Sequence, residues 1–361
     1  MPVPLFDPAT PLHPLRAELR EAVARVLDSE RFILGPEVAA FERDFADHLG
    51  VQHAAGVANG TEALTIALRA LGVGPGDEVI VPSFSFWASA EAIPPLGATP
   101  VFCDVDPDTF CVTLQTVSAV MTARTKAVVA VHLFGNVAPV KAIEEELGLP
   151  VVEDAAQAAG SLGPDGRPGA LGSIATFSFY PSKNLGAFGD GGAITTGDGA
   201  LDERVRSLRF HGSRDKVTYE EAGYNSRLDE LQAAILRVQL PHLNRWADHR
   251  RAVGSWYADA LDGVVGLPQA TDGASPAWHL YVIRHPQPDA LSAHLQQLGI
   301  ESRGYYRRPI HAQRGMAQHP PHVPLPGTDA AAAEHLAIPI SAAITREQVD
   351  EVSAAIREFC A

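Results

Sequence analysis

The chain has 361 residues, 46% of them hydrophobic, and a formal charge of −15. That length and apolar content suit two domains, or one large domain with an appendage. The acidic balance argues against nucleic acid or an anionic membrane as principal partner, while backbone N–H groups on an acidic protein still bind a local anion. Cys103, Cys111 and Cys360 are too few for a disulfide framework and lack metal-ligand spacing, so no metal site is expected and a reducing setting is. The opening MPVPLFDPATPL has neither the basic start nor the apolar centre of a signal peptide. No run reaches the roughly 20 apolar residues of a membrane span, so a soluble, cytoplasmic protein is expected.

From about residue 50 to 200 short apolar runs alternate with helix-permissive stretches. Residues 78–82, 99–103, 127–131, 151–153, 174–179 and 193–196 read as buried strands. Residues 61–71, 85–93, 114–121 and 140–147 read as helices between them. The alternation predicts an α/β fold with a mostly parallel sheet covered on both faces, whose ligands collect at the carboxyl ends of the strands. Residues 227–240 form a longer helical stretch, Pro241 interrupts it, and 243–261 continue as helix. Beyond Gly263 a strand signal (278–284), a helix (288–298) and a terminal helix (346–359) indicate a smaller α+β domain. The expected division is 1–245 and 246–361, with the first 30 or so residues packed beside the small domain. There are no internal repeats.

Four segments carry candidate chemistry. Asn59-Gly60-Thr61-Glu62 is a turn opening a helix, where free N–H groups and the positive dipole end suit a phosphate; an ordinary turn with a helix cap has the same sequence. Val151-Val-Glu-Asp154-Ala-Ala-Gln157 runs from a strand into polar residues. Its Asp154 suits either a cap or the protonated nitrogen of a pyridine ring. Ser178-Phe-Tyr-Pro-Ser-Lys183-Asn-Leu-Gly-Ala-Phe-Gly-Asp-Gly-Gly192 sets one lysine between a strand and a glycine-rich loop. A lysine partly desolvated there has a lowered pKa and becomes nucleophilic, as Schiff-base chemistry with an aldehyde cofactor requires. Gly223-Tyr-Asn225-Ser-Arg is a polar approach to the next helix, and simple capping explains it equally. Gly186–Gly192 lacks the G-x-G-x-x-G pattern of a nicotinamide dehydrogenase.

This ordered set resembles the fold-type I pyridoxal-phosphate enzymes, and more narrowly the DegT/DnrJ/EryC1/StrS family of nucleotide-sugar aminotransferases. Ile33-Leu-Gly-Pro-Glu37, Ala58-Asn-Gly-Thr61, Gly76-Asp-Glu-Val-Ile-Val-Pro82, Gly97-Ala-Thr-Pro-Val101, Glu153-Asp-Ala-Ala-Gln157, Pro181-Ser-Lys-Asn-Leu-Gly186, Arg209-Phe-His-Gly212 and Gln232-Ala-Ala234 carry the resemblance along nearly the whole chain. It implies pyridoxal 5′-phosphate, alternating with pyridoxamine 5′-phosphate, as cofactor. Lys183 would hold it covalently and shuttle the proton, Asp154 would bind the pyridine nitrogen, and Gln157 would contact the hydroxyl side of the ring. Phe86 matches the aromatic that stacks on the ring. Gly60, Thr61, the Glu62 backbone N–H and Ser178 would hold the phosphate. Asn225 matches a residue donated to the phosphate across a dimer interface, which implies a homodimer with shared sites. Lysine at position 183, where some members carry histidine and act as dehydratases, favours transamination.

Near the C-terminus the family pattern fits in part. Tyr305 replaces the usual histidine and Arg307 the usual proline, whereas His311 matches and would touch the sugar. Beside Tyr306, Arg307 and Arg308 suit either a diphosphate or an acidic sugar group, or are solvated loop charges. The expected activity is amino transfer from an amino acid, glutamate foremost, to a keto sugar on a uridine or thymidine diphosphate, with a 4,6-dideoxy-hexose framework favoured. Such a reaction serves surface polysaccharide, lipopolysaccharide included, or secondary metabolism. A keto-cyclitol acceptor with glutamine as donor, and a non-catalytic regulatory protein on the same fold, are the alternatives.

Overall fold

The structure, a computed structural model, describes residues 2–361. After an extended start come helices α1 (Arg16–Ser29) and α2 (Pro36–Leu49). The chain then alternates through β1 (His53–Val57), α3 (Gly60–Ala70), β2 (Glu78–Pro82), the single-turn α4 (Ala88–Glu91), β3 (Thr99–Cys103) and α5 (Leu114–Ser118). It continues as β4 (Thr125–Val131), α6 (Val140–Leu147), β5 (Val151–Asp154), β6 (Ile174–Ser178), β7 (Gly192–Thr196) and α7 (Gly199–Leu208). Two helices, α8 (Glu230–Gln239) and α9 (Leu243–Leu261), lead to β8 (Tyr281–Arg284), α10 (Pro288–Gln297), α11 (Pro326–Glu334), β9 (His335–Ile338) and α12 (Arg346–Cys360).

Seven strands form one sheet in the order β1-β7-β6-β5-β4-β2-β3, and only β7 runs against its neighbours. The central strands are near-continuous Val, Ile and Ala runs buried along their length. Such strands are stable only with both faces covered, and helices supply the cover. Parallel packing brings the carboxyl ends of β1, β2, β4, β5 and β6 to one edge. There Gly60, Ser85, Asp154 and Ser178 follow directly on their strands.

The antiparallel pair β8-β9 forms a separate small sheet. Its core joins Tyr257, Tyr281, Ile283, Leu291, Ile338 and Val352, with Tyr257 and Tyr281 stacked 5.2 Å apart. Val3 belongs to this core, and its N–H donates to the Gly299 carbonyl at 3.0 Å. In contrast α1 packs on α8, with Ala22 and Val26 against Ala234.

Three of the differences from the sequence expectation bear on the site and its support. Strand β1 was not anticipated, because 53–57 (HAAGV) has one β-branched residue and a glycine. Pairing with β7 creates it, and Gly56 is required because a Cβ there would lie 2.8 Å from Leu228 Cβ. The helix expected over 85–93 shrinks to the single turn of α4, since Ser85 and Phe86 are spent on the cleft wall. The helix expected from 227 starts at Glu230, after an extended Asp229.

Glu230 explains that start. Its carboxylate accepts the N–H groups of Gly35, Glu37 and Val38 at 2.8, 2.9 and 2.8 Å, satisfying donors that the first turn of α2 leaves free. Glu230→Ala is expected to lower stability by about 2–4 kcal/mol in denaturant titration, since three enclosed donors lose a charged acceptor. A change within about 0.5 kcal/mol, the range of an ordinary surface substitution, contradicts this role.

Candidate active site

The edge of the sheet encloses a cavity of about 390 Å³ lined by Gly60, Thr61, Phe86, Asp154, Gln157, Ser178, Lys183 and Tyr306 among others. Four strand ends and two loops build it.

Helix α3 starts right after β1. Asn59 caps it, its side-chain oxygen accepting the Glu62 N–H at 2.8 Å. That N–H is thereby occupied, so Glu62 serves the cap rather than offering a free donor, and its side chain does not line the cavity. The Gly60 and Thr61 N–H groups precede any helical partner and remain open toward the cavity. Glycine is needed at 60, because a Cβ there would sit 2.8 Å from Ser178 Cβ. The close approach puts the Ser178 hydroxyl beside the helix start.

Asp154 ends β5, 6% exposed. Its Oδ2 accepts the Ser89 hydroxyl at 2.7 Å, Ser89 lies 2.8 Å from Ser85, and Oδ1 accepts the Ala156 N–H at 3.2 Å. The carboxylate is thus fixed from one side and open on the other. Gln157 is fixed likewise: its Oε1 accepts the Phe134 N–H at 2.6 Å, and its Nε2 donates to the Tyr306 hydroxyl at 3.4 Å. Burial pushes the Tyr306 phenol up, so it stays protonated. The Tyr306 ring lies 5.9 Å from that of Phe86, which is half exposed at the mouth.

Lys183 closes the opposite wall. Its loop is tied at both ends: Lys183 N–H donates to Tyr180 O at 2.8 Å, and Ala187 N–H to Phe179 O at 2.7 Å. Helix α8 grips it through Gln239 Nε2 on the Gly186 carbonyl and Gln232 Oε1 under the Phe188 N–H, both at 2.8 Å. Gly186 is obligatory, since a Cβ would lie 2.6 Å from the Pro181 carbonyl oxygen. The residue keeps some accessible surface, but its amine is enclosed. Burial lowers its pKa to about 8, the charge of Asp154 opposing part of that shift.

The cavity therefore gathers Gly60, Thr61, Phe86, Asp154, Gln157, Ser178, Lys183 and Tyr306, and leaves five expected residues outside it. Besides Glu62, Asn225 is exposed, held by a backbone bridge to Phe210. Arg307 turns away to Asp289, at 3.0 Å, and to the His335 carbonyl. Arg308 donates to the Ala312 carbonyl at 2.7 Å and borders an adjoining groove of about 450 Å³ shared with Ser85, Phe86, Trp87, Tyr306 and Arg314. His311 sits 2.6 Å from Ser83 Oγ and opens on a different pocket. Sequence reasoning missed Ser85, Ser89 and His279. Their only sequence signal was the serine spacing of four around Phe86, legible once 85–89 is known to fold over β5.

The model of the DegT/DnrJ/EryC1/StrS aminotransferase family matches residues 14–357. A dTDP-3-amino-3,4,6-trideoxy-alpha-D-glucose transaminase of Streptomyces venezuelae is 45% identical, over 99% of this chain and 96% of that protein. A UDP-N-acetyl-3-dehydro-alpha-D-glucosamine 3-aminotransferase of Acidithiobacillus ferrooxidans is 42% identical, over 98% and 97%. Among solved structures, S. venezuelae DesV in complex with a ketimine intermediate superposes with a TM-score of 0.96 at 44% identity, covering 99% of this chain and 98% of that one.

The lysine environment has a measurable consequence. The chain holds four lysines, of which Lys126 and Lys216 are exposed and Lys141 is partly so. A depressed pKa means the neutral, reactive amine accumulates above pH about 8. In cofactor-free protein, reductive labelling with a small aldehyde, read by mass spectrometry, is expected to modify Lys183 with a midpoint near 8. A Lys183 midpoint at the ordinary lysine value of about 10.4 contradicts the enclosed-amine geometry.

Proposed function

We propose, from the DegT/DnrJ/EryC1/StrS aminotransferase family to which this chain belongs, that it is a pyridoxal-phosphate-dependent aminotransferase acting on a nucleotide-linked keto hexose, with glutamate as amino donor. The observation that carries the reading is the enclosed Lys183 amine and the anchored Asp154 carboxylate on one cavity, below a helix start with open N–H groups. These residues fit the cofactor: donors for a phosphate at Gly60, Thr61 and Ser178, a carboxylate for a pyridinium nitrogen, and an amine for the aldehyde. When bound, the cofactor supplies the electron sink that makes the proton beside a substrate amine acidic.

The chain's own groups do the rest. The Lys183 amine, neutral in appreciable fraction near pH 7 because its pKa is about 8, would take the proton from the substrate carbon that bears the amine and hold it for return. Asp154 would bind the ring nitrogen, and the Ser85-Ser89 pair, with the Ala156 N–H, keeps its carboxylate from rotating away. Gln157, fixed by the Phe134 N–H, presents its amide nitrogen beside Tyr306. Phe86 covers the ring face at the mouth.

The groove of Trp87, Arg308 and Arg314 suits the acceptor's nucleotide end, since an aromatic plane stacks on a base and guanidinium groups pair with phosphates. In this reading His311, held on Ser83 and facing a separate pocket, is a supporting residue and Arg307 a structural one. Both relatives are named for an amine at carbon 3, which supports that position and a thymidine or uridine diphosphate carrier. Asn225, exposed and outside its own chain's cavity, is assigned to the site of a second copy, making the protein a homodimer with shared sites. Residues 246–361 form the smaller domain that carries one side of the cleft. The acidic chain acts in the cytoplasm; among the described residues no helix is long and apolar enough to cross a membrane.

The test is the visible spectrum of the cofactor-loaded protein with 3-amino and 4-amino nucleotide sugars supplied separately. Conversion to the pyridoxamine form by the 3-amino sugar alone is expected; no response to either removes the acceptor class. Lys183→Ala is expected to lose essentially all turnover, with measurable activity contradicting the assignment. Mixed dimers of Lys183→Ala and Asn225→Ala chains are expected to regain activity over either parent, because one of their two sites is intact. Verified hybrids without recovery exclude shared sites.

A further inference from the structure

One wall of the cleft holds polar groups that the chemistry above leaves unused. Arg250 projects from α9 on the face that carries Ala247 and Gly254, which fit against Gly160 and Trp278. It is 7% exposed and makes a single hydrogen bond, Nη1 to the Trp278 carbonyl at 3.1 Å. Among the described residues no carboxylate lies within the 4.0 Å of an ion pair with it. Burial lowers its pKa to about 10, so it remains a cation at neutral pH.

Beside it, His279 is 4% exposed, lines the cofactor cavity, and has no partner for Nδ1. Burial, and then the nearby charges of Lys183 and Arg250, disfavour a charge on His279, so the imidazole is neutral. A second cavity of about 570 Å³ meets the first at Lys183 and is bordered by Asn184, Arg250, Trp246, Phe6 and Asp7. Asp7 is the acid on that cavity, and its Oδ1 already accepts the N–H groups of Ala9 and Thr10 at 3.2 and 2.9 Å. A guanidinium has five donors, and removing one from water with a single carbonyl acceptor is costly unless an anion completes it.

We propose that Arg250 and His279 form the subsite for the α-carboxylate of the amino-acid donor. This rests on the aminotransferase reading. The donor must bring its nitrogen to the place of the Lys183 amine, and its carboxylate is two bonds from that nitrogen. The anion site therefore belongs in the shell around Lys183, where Arg250 supplies the unpaired guanidinium. Its planar fork matches a carboxylate in two parallel bonds, and the neutral imidazole adds a third donor. The Asn184 Oδ1, buried without a partner in the same wall, provides an acceptor for the incoming ammonium. A keto sugar whose reacting carbon carries no carboxylate gains nothing from this subsite, so the two half-reactions depend on it differently.

The experiment follows both half-reactions of the holoenzyme by absorbance, and titrates glutarate, a dicarboxylate without an amine, by calorimetry. Arg250→Gln is expected to raise the glutamate concentration for half-maximal conversion at least about thirtyfold and to abolish glutarate binding, as loss of one side of a buried charged pair does. Conversion by a 3-amino nucleotide sugar should be unchanged. An unchanged glutamate dependence overturns the subsite, and so does an equal loss in both half-reactions, which marks a structural role. Should Arg250→Gln fail to fold, Arg250→Lys carries the same comparison, with a smaller expected shift and the same overturning result. A wild-type holoenzyme that responds to neither amino compound sinks the aminotransferase reading. The glutarate titration then still decides the subsite: equal binding by wild type and Arg250→Gln overturns it.

Discussion

A lysine amine held out of water opposite a buried carboxylate is the constraint around which this fold is organised. Two forces act on Lys183: burial disfavours its charge, while Asp154 favours it. Burial wins, and the amine titrates at about 8 rather than as a surface lysine. The structure fixes the loop that carries the amine. Gly186 turns under the Pro181 carbonyl, Gln239 and Gln232 clamp the far side from α8, and the backbone closes onto Phe179. Asp154 is immobilised in turn by Ser89, so neither partner of the pair can relax.

Close backbone approach is the second requirement. Helix α3 directs its free N–H groups at the cavity only because Gly60 lets it touch Ser178, and because Gly192 lets β7 pass Asn59; a Cβ at Gly192 would lie 2.6 Å from the Asn59 carbonyl carbon. The same Asn59 that caps the helix consumes the Glu62 donor, which concentrates the remaining anion-binding capacity on two N–H groups and one hydroxyl. The cap and the free donors are therefore divided between successive residues of one turn.

Much of this was legible in the sequence, for physical reasons that also set its limits. Buried strands read as short apolar runs, so β2 to β7 were visible, whereas β1 exists through pairing alone. Lys183, Asp154 and Gly60 sit beside strand or helix boundaries that local pattern reveals. Ser89 reaches Asp154 across 65 residues and Tyr306 meets Gln157 across 149, contacts that no local pattern encodes. The paired arginines show how little a local charge pattern says about where each side chain goes. Arg307 and Arg308 are adjacent, yet the first turns back to Asp289 and the second borders the groove. A loop can send neighbouring side chains to different partners, and only the fold decides which.

The distribution of exposed aromatic surface bears on how the site is completed. Phe86, Tyr180 and Phe188 are 53, 56 and 53% exposed, and all three border the cavities that meet at Lys183. Single exposed apolar residues are ordinary, but several around one opening mark a surface that something covers. Asn225, equally exposed, has a side chain with no role in its own chain. The second copy proposed above, laid over this rim, would remove the aromatic surface from water and add the Asn225 side chain to the polar groups of the site. Association and chemistry then share one cause, because the surface that drives pairing is the surface that must exclude water.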